Sequence, residues 1–112
     1  MKLPNAENAV ADIAKFRDYC LNPTHAEGKH KARVFQAALG LTQADAGRLR
    51  GLVLAAAQTQ EATPGQFIAL YGQTYVVDFR MLGLRGEVTV RTAWIVETDA
   101  AAPRLTTCYV KE

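Results

Sequence analysis

The sequence has few of the residues that mark several common functional classes. Its only two cysteines, Cys20 and Cys108, lie far apart and form no CxxC pair, so we expect two buried thiols and no zinc site, with a single disulfide as the alternative. No apolar run approaches the roughly 20 residues of a membrane-spanning helix, and the first residues lack the apolar stretch of a secretory signal. These absences predict a cytoplasmic protein with no membrane partner.

Motifs for several enzyme chemistries are also missing. The sequence has no glycine-rich phosphate loop, no HExxH, no GxSxG and no carboxylates paired at metal-binding spacing. We therefore expect no cofactor and no metal. The aromatic residues, one Trp, four Tyr and four Phe, are scattered along the chain, which does not indicate a platform for stacking bases.

What is present is the composition of one globular domain. The 112 residues are 49% hydrophobic and 21% charged, enough to bury a single core, so we predict one domain over residues 1–112. The net charge of +2 is unevenly distributed. Residues 1–60 contain eight Lys/Arg and five Asp/Glu, whereas residues 61–112 contain five and six. The first half therefore has the positive charge that a nucleic-acid partner requires.

The first half of the chain has the apolar spacing of three helices. Asp12 is expected to cap the first, and Pro23 lies beyond its end. Gly40 is placed to cap the second at its C-terminus. Thr42 and Asp45 form a capping box that opens the third. The predicted helices cover residues 12–20, 31–39 and 42–56.

From Gln73 onward, residues alternate with the period of two that is typical of strands. The predicted strands cover residues 73–81, 88–96 and 104–110. Residues 63–65, Thr-Pro-Gly, are expected to separate helices from strands, and residues 7–11 are predicted to add a short edge strand. Helices followed by strands predict an α+β fold, with N-terminal helices packed on one face of a C-terminal antiparallel sheet of three or four strands.

One short basic stretch contains both histidines of the chain. Its candidate functional residues are His25, Lys29, His30, Lys31 and Arg33. Imidazoles titrate near neutral pH and cations bind phosphate, so the stretch predicts a site for an anionic, nucleic-acid substrate. His25 lies in a loop before Gly28, and Lys29 and Arg33 share a helix face only if the helix begins by Lys29. The alternative interpretation is a solvated helix start without a site.

The strands contribute a second set of candidates. Arg91 lies on one face of its strand, and Thr107 and Tyr109 lie on one face of theirs, but neither face of either strand is cleanly apolar. Both faces therefore remain candidates for the core. If the three residues share the less buried face, they form a polar strip. The alternative is a cross-strand ladder that only stabilises the sheet.

These residues fall within motifs of a known family. Residues 21–35 read Leu-Asn-Pro-x-His-x-x-Gly-x-x-Lys-Ala-x-x-Phe, followed by a short helix that ends in Gly40. With further matches at residues 71–78, 90–96 and 103–109, the chain resembles an uncharacterised bacterial domain family, domain of unknown function 6883. Relatives at the tips of toxins tend to end in Thr-Ala-Tyr-Pro. This chain keeps Thr107 and Tyr109 but has Val110 in place of the proline.

The resemblance implies a toxin-like context. Domains of this type occur alone, beside small partner proteins and as C-terminal tips of larger chains. The order of helices and strands is also similar to that of the barnase, colicin and RelE-type ribonucleases. Fold analogy alone does not establish an activity.

Our leading hypothesis is a toxin-type, metal-independent endoribonuclease that acts on RNA by attack of the 2′-hydroxyl. His25 would remove the 2′-hydroxyl proton, Lys31 and Arg91 would neutralise the phosphorane, and Tyr109 or a second basic group would help to expel the 5′-oxygen. The predicted catalytic set is His25, Lys31, Arg91, Thr107 and Tyr109, with Lys29, His30 and Arg33 binding substrate. We expect the five catalytic residues to line one cleft.

The alternative hypothesis is a non-catalytic protein-binding module, one half of a two-gene, toxin–antitoxin-like pair. Its partner would be a small cognate immunity or antitoxin protein. Contact would occur at a sheet edge or at residues 66–70, Gln-Phe-Ile-Ala-Leu. The competing interpretation of that segment is a loop that plugs the core.

Overall fold

The computed structural model describes residues 1–112 and has three helices followed by four strands. The α+β fold predicted from the sequence is confirmed. The helices are α1 (Ile13–Lys15), which continues as a π-helical turn (Phe16–Cys20), α2 (Lys29–Leu39) and α3 (Ala46–Thr59). The strands are β1 (Ala62–Ile68), β2 (Gly72–Gly83), β3 (Gly86–Glu97) and β4 (Arg104–Val110), and short 3-10 turns cover Ala6–Asn8 and Gln43–Asp45.

The helix boundaries follow the predicted capping residues. The Asp12 carboxylate accepts a hydrogen bond from the backbone N–H of Ala14 at 2.9 Å, and Gly40 ends α2 with a φ of 70°. Thr42 donates its backbone N–H to the Asp45 carboxylate at 2.9 Å in a capping box. The three predicted helices are therefore confirmed. None of the helices is both long and apolar enough to cross a membrane.

The sheet is an antiparallel meander in the order β1-β2-β3-β4, with β1 and β4 at its edges. Arg91 pairs with Tyr109, and Ala93 pairs with Thr107, across β3 and β4. The pairing then shifts by one residue, because Thr106 is an extra residue on β4. This register places Arg91, Thr107 and Tyr109 on the same face of the sheet.

The helices cover the opposite face, where the core lies. On β3, Val90, Thr92 and Trp94 are completely buried, whereas the residues between them are only half-buried. Phe16 and Phe35 from the helices are also completely buried and pack against this face. The core therefore lies on the strand face that lacks Arg91.

Two predictions about the connections are wrong. Residues 63–65 do not separate helices from strands but lie inside β1, an edge strand with an irregularity after Pro64. An edge strand tolerates proline because alternate backbone N–H groups point away from the sheet. A missing N–H at such a position breaks no hydrogen bond between strands. Residues 7–11 form no strand. They contain part of a 3-10 turn and a single bridge from Val10 to Arg104.

Candidate functional site

Arg91 and Tyr109 lie opposite each other on the helix-free face of the sheet. The Arg91 guanidinium makes two parallel hydrogen bonds to the Asp78 carboxylate of β2, each 3.0 Å long. The pKa of Arg91 is raised, chiefly by the hydrogen bond to Asp78 and to a smaller extent by the Tyr109 hydroxyl. Asp78 uses two of the five guanidinium N–H groups, which leaves three for the Tyr109 hydroxyl and an anion.

Lys31 connects the start of α2 to this face. Its ammonium donates a hydrogen bond to the Tyr19 hydroxyl at 2.8 Å and lies 6.0 Å from the centre of the Tyr109 ring. The α2 helix supplies Lys31 and the π-helical turn supplies Tyr19, whereas Tyr109 comes from β4. Three elements therefore place two tyrosine side chains near one ammonium group.

His25 is held rigidly in the loop before α2. Its Nδ1 accepts hydrogen bonds from the backbone N–H groups of Glu27 (3.0 Å) and Gly28 (2.9 Å). Its ring meets Tyr19 edge-on, with the ring centres 5.0 Å apart. Because Nδ1 is the acceptor, the proton of the neutral imidazole must be on Nε2. Nε2 is then a hydrogen-bond donor with no free lone pair, which removes the basis for His25 as a general base.

Four of the five predicted catalytic residues line three separate depressions of the surface, so the prediction that all five line one cleft is wrong. Lys31 and Tyr109 share one of about 380 Å³, whereas His25 lines another of about 620 Å³ together with Tyr19. Glu27 borders both of these depressions. Arg91 and Asp78 line a third, of about 430 Å³, against β1 and β2.

Thr107 contributes no accessible group to these depressions. Its hydroxyl oxygen is buried without a hydrogen-bond partner. Burial raises the pKa of the neighbouring Cys20 thiol, and the backbone of Cys108, the charge of Lys31 and the Thr107 hydroxyl offset this effect in part.

The residues predicted to bind substrate lie along the exposed side of α2. The helix begins at Lys29, so Lys29 and Arg33 do share a face, as the spacing required. His30 lies 3.7 Å from the Glu112 carboxylate, and both side chains are largely exposed. Arg33 lines a groove together with this pair.

Sequence reasoning missed three residues next to the predicted set. Tyr19 has the spacing of an apolar stripe on the first helix, and this spacing does not reveal that its hydroxyl faces Lys31. Asp78 lies on the same strand face as Arg80, as the alternation along the strand predicts. The alternation does not reveal that Arg91 of the neighbouring strand is the partner of Asp78. Glu27 stood inside the basic stretch, and its carboxylate was the one signal of a proton acceptor there.

No three His, Cys, Asp or Glu side chains come together as ligands for a metal ion. Comparison with known proteins gave no match among curated proteins and none among solved structures. The model of one family, a domain of unknown function (DUF6883), matches residues 2–112. The chain therefore belongs to the DUF6883 family, a domain of unknown function.

Proposed function

We propose that this protein is a metal-independent endoribonuclease that cleaves RNA by attack of the ribose 2′-hydroxyl on the adjacent phosphodiester. The observation that supports this most directly is the placement of Tyr109 beside two cations. The Lys31 ammonium lies 6.0 Å from the centre of its ring, and Arg91 is its cross-strand partner on β3. A tyrosine hydroxyl flanked by fixed positive charges suits a reaction in which negative charge develops on a phosphate.

The two cations have different roles in this mechanism. Lys31 is oriented by Tyr19 and stabilises one non-bridging oxygen of the phosphorane. Arg91 is oriented by Asp78 and uses its remaining N–H groups for another. His25, with its proton on Nε2, serves as a neutral donor to the substrate and not as a base.

We assign the general base to Glu27. Its carboxylate makes no ion pair and borders both the His25 depression and the one shared by Lys31 and Tyr109. The 2′-hydroxyl proton passes to this carboxylate while the 2′-oxygen bonds to phosphorus. The bond from phosphorus to the 5′-oxygen breaks, and the leaving oxygen takes the Tyr109 hydroxyl proton. The products are a 2′,3′-cyclic phosphate and a free 5′-hydroxyl.

Cleavage of total RNA in EDTA tests the proposal. We expect fragments that end in a 2′,3′-cyclic phosphate, no cleavage of the same sequence as DNA, and a growth defect on induced expression. Glu27→Gln and Tyr109→Phe should each slow cleavage by about 10²–10⁴-fold, the usual contribution of a positioned acid or base. Arg48→Gln, which removes an exposed cation from α3, is the control and should cleave normally. Intact RNA at high enzyme concentration, with no growth defect, would rule the activity out.

One specific observation favours a protein-binding function as a second candidate. The residues around the turn between β1 and β2 are apolar and exposed, including Phe67 (66%), Leu70 (87%) and Tyr71 (65%). The interpretation of residues 66–70 as a plug for the core is therefore wrong. Beyond Ala62, which pairs with Met1, the outer side of edge strand β1 has no neighbouring strand and can accept another one.

This second candidate requires the β1–β2 turn to form a contact in solution. We expect Phe67→Ser and Leu70→Ser to abolish association with a cognate protein. Leu82→Ser, at the equally exposed turn between β2 and β3 (83%), should not. Light scattering and co-purification measure the effect. If the unmodified protein is monomeric and co-purifies with no partner, the binding module is excluded.

A further inference from the structure

A second groove lies between α2, the turn joining β2 to β3, and the end of β4. Its volume is about 670 Å³. The apolar side chains in it are Val34, Ala37, Ala38, Val88 and Val110. Its charged residues are His30, Arg33, Arg85, Glu87, Lys111 and Glu112. An apolar surface surrounded by charge is typical of a site for a ligand that has both apolar and ionic parts.

The positive charges of this groove are free to bind a ligand. Arg33, Arg85 and Lys111 have no carboxylate within salt-bridge distance. Of the two rim carboxylates, Glu87 lies 3.5 Å from Arg80, and Glu112 lies 3.7 Å from His30, which makes an ion pair when the imidazole is protonated. The groove is therefore suited to an anion with several negative charges.

The walls of the groove are fixed by backbone hydrogen bonds. Leu84 donates its N–H to the Ala38 carbonyl at 2.9 Å, which holds the turn that contains Arg85 against the end of α2. Lys111 donates its backbone N–H to the Thr89 carbonyl at 2.9 Å. The three cations thus come from elements whose relative positions are set by the fold, and binding requires only side-chain ordering.

The groove is continuous with the depression that contains Lys31 and Tyr109. Four residues line both: His30, Val34, Val110 and Glu112. We propose that the groove binds the single-stranded RNA segment next to the cleaved phosphodiester, an inference that rests on the proposed ribonuclease function. Its phosphates contact Arg33, Arg85 and Lys111, and an unpaired base lies on the apolar surface. Only a single strand exposes both base faces and phosphates in this way.

Binding of a fluorescent six-nucleotide RNA, 2′-O-methylated throughout so that it cannot be cleaved, tests the groove directly. Arg33→Gln, Arg85→Gln and Lys111→Gln should each weaken binding and lower the slope of log K against log salt by about 0.7, the value for one phosphate contact on a single strand. Arg48→Gln removes one exposed, unpaired cation elsewhere and should change neither quantity. Groove variants that bind like Arg48→Gln would overturn the proposal. So would displacement of the RNA by a hexaglutamate peptide, because the groove would then select an acidic peptide.

Cleavage assays separate this proposal from the proposed activity. Glu27→Gln should bind the methylated strand normally while losing cleavage. If the strand binds in the groove but the wild-type protein cleaves no RNA, the ribonuclease proposal is wrong and the RNA-binding role of the groove is supported. If a dinucleotide and a hexanucleotide are cleaved with equal efficiency, and the groove variants do not alter either rate, the RNA-binding role of the groove is wrong and the ribonuclease proposal is supported.

Discussion

Gly28 determines how closely the loop before α2 approaches Tyr19. Its φ of −88° is one that any residue adopts, so the backbone conformation does not require glycine here. A Cβ at this position would overlap the Tyr19 carbonyl oxygen and lie 2.9 Å from a carbon of the Tyr19 ring. The absence of a side chain therefore allows the loop to pack directly against Tyr19.

Replacing Gly28 with alanine should destabilise the protein by about 1–3 kcal/mol, the range for overpacking a close contact. The matched control is Gly47→Ala in α3, where a new Cβ meets no atom within 4 Å. That change should stabilise the protein by up to about 1 kcal/mol, because glycine disfavours a helix interior. Urea unfolding measures both. Equal stability of the two variants would show that a side chain at residue 28 can be accommodated next to Tyr19.

Two buried threonine hydroxyls on neighbouring strands should respond oppositely to the same substitution. Thr92 donates to the Val77 carbonyl (2.7 Å) and accepts from the Trp94 indole (2.8 Å), whereas the Thr107 hydroxyl has no partner. Thr92→Val should lower the free energy of unfolding by about 1–3 kcal/mol, because it leaves two buried groups unsatisfied. Thr107→Val should be neutral or stabilising. A comparable loss in both, measured by chemical denaturation, would contradict this assignment.

At the scale of elements, the π-helical turn packs on β4 through two thiols. Cys20 and Cys108 are both free and completely buried, as the sequence predicted. Burial is the main cause that raises the pKa of each thiol, that of Cys108 strongly. An acid whose pKa is higher in the folded state is stabilised in its neutral form. Its contribution to stability is complete below the unfolded pKa of about 8.5 and is lost as the pH rises from there towards the folded pKa.

The free energy of unfolding should therefore fall between pH 8 and pH 10 more steeply in the wild-type protein than in the Cys20→Ala/Cys108→Ala variant. Urea unfolding at a series of pH values gives the slope of the free energy of unfolding against pH for each protein. The other titrating groups contribute equally to both slopes, so the difference between them reports the two thiols. Both thiols should also be unreactive towards a thiol reagent at pH 7 until the protein unfolds. Parallel pH profiles for the two proteins would refute this account.

At the scale of the whole molecule, the first eleven residues join the two edges of the sheet. Met1 accepts a hydrogen bond from the backbone N–H of Ala62 (2.7 Å) at the start of β1. Val10 exchanges hydrogen bonds with Pro103 (2.8 Å) and Leu105 (2.9 Å) beside β4. Between these points Leu3 is 2% exposed. The segment closes the core without adding a strand.

Leu3→Ala should reduce the free energy of unfolding by about 2–5 kcal/mol, the range for truncating a buried leucine. Val10→Ala is the matched control, because the side chain is 51% exposed and its backbone hydrogen bonds remain. It should change stability by no more than about 0.5 kcal/mol. Thermal unfolding followed by circular dichroism measures both variants. Equal effects would mean that the segment is held by its backbone contacts alone.

The sequence predicted the helices well because their signals are local. Asp12, Gly40 and the Thr42–Asp45 box act on backbone groups within a few residues, and strands β2 to β4 follow from alternation along the chain. Strand β1 was missed because Pro64 and Gly65 are turn residues in most contexts. An edge strand accepts them only because β2 lies beside it.

For the candidate site, the sequence by itself determined the chemical types: a histidine loop, cations on α2, and an arginine, threonine and tyrosine on one strand face. Only the tertiary structure decided what each can do. The turn at Glu27 and Gly28 uses the Nδ1 lone pair of His25, and Asp78 engages Arg91 from the next strand. Burial leaves the Thr107 hydroxyl without a partner. The identity of a side chain is local information, but its free lone pairs, protons and neighbours depend on residues distant in sequence that only folding brings into contact.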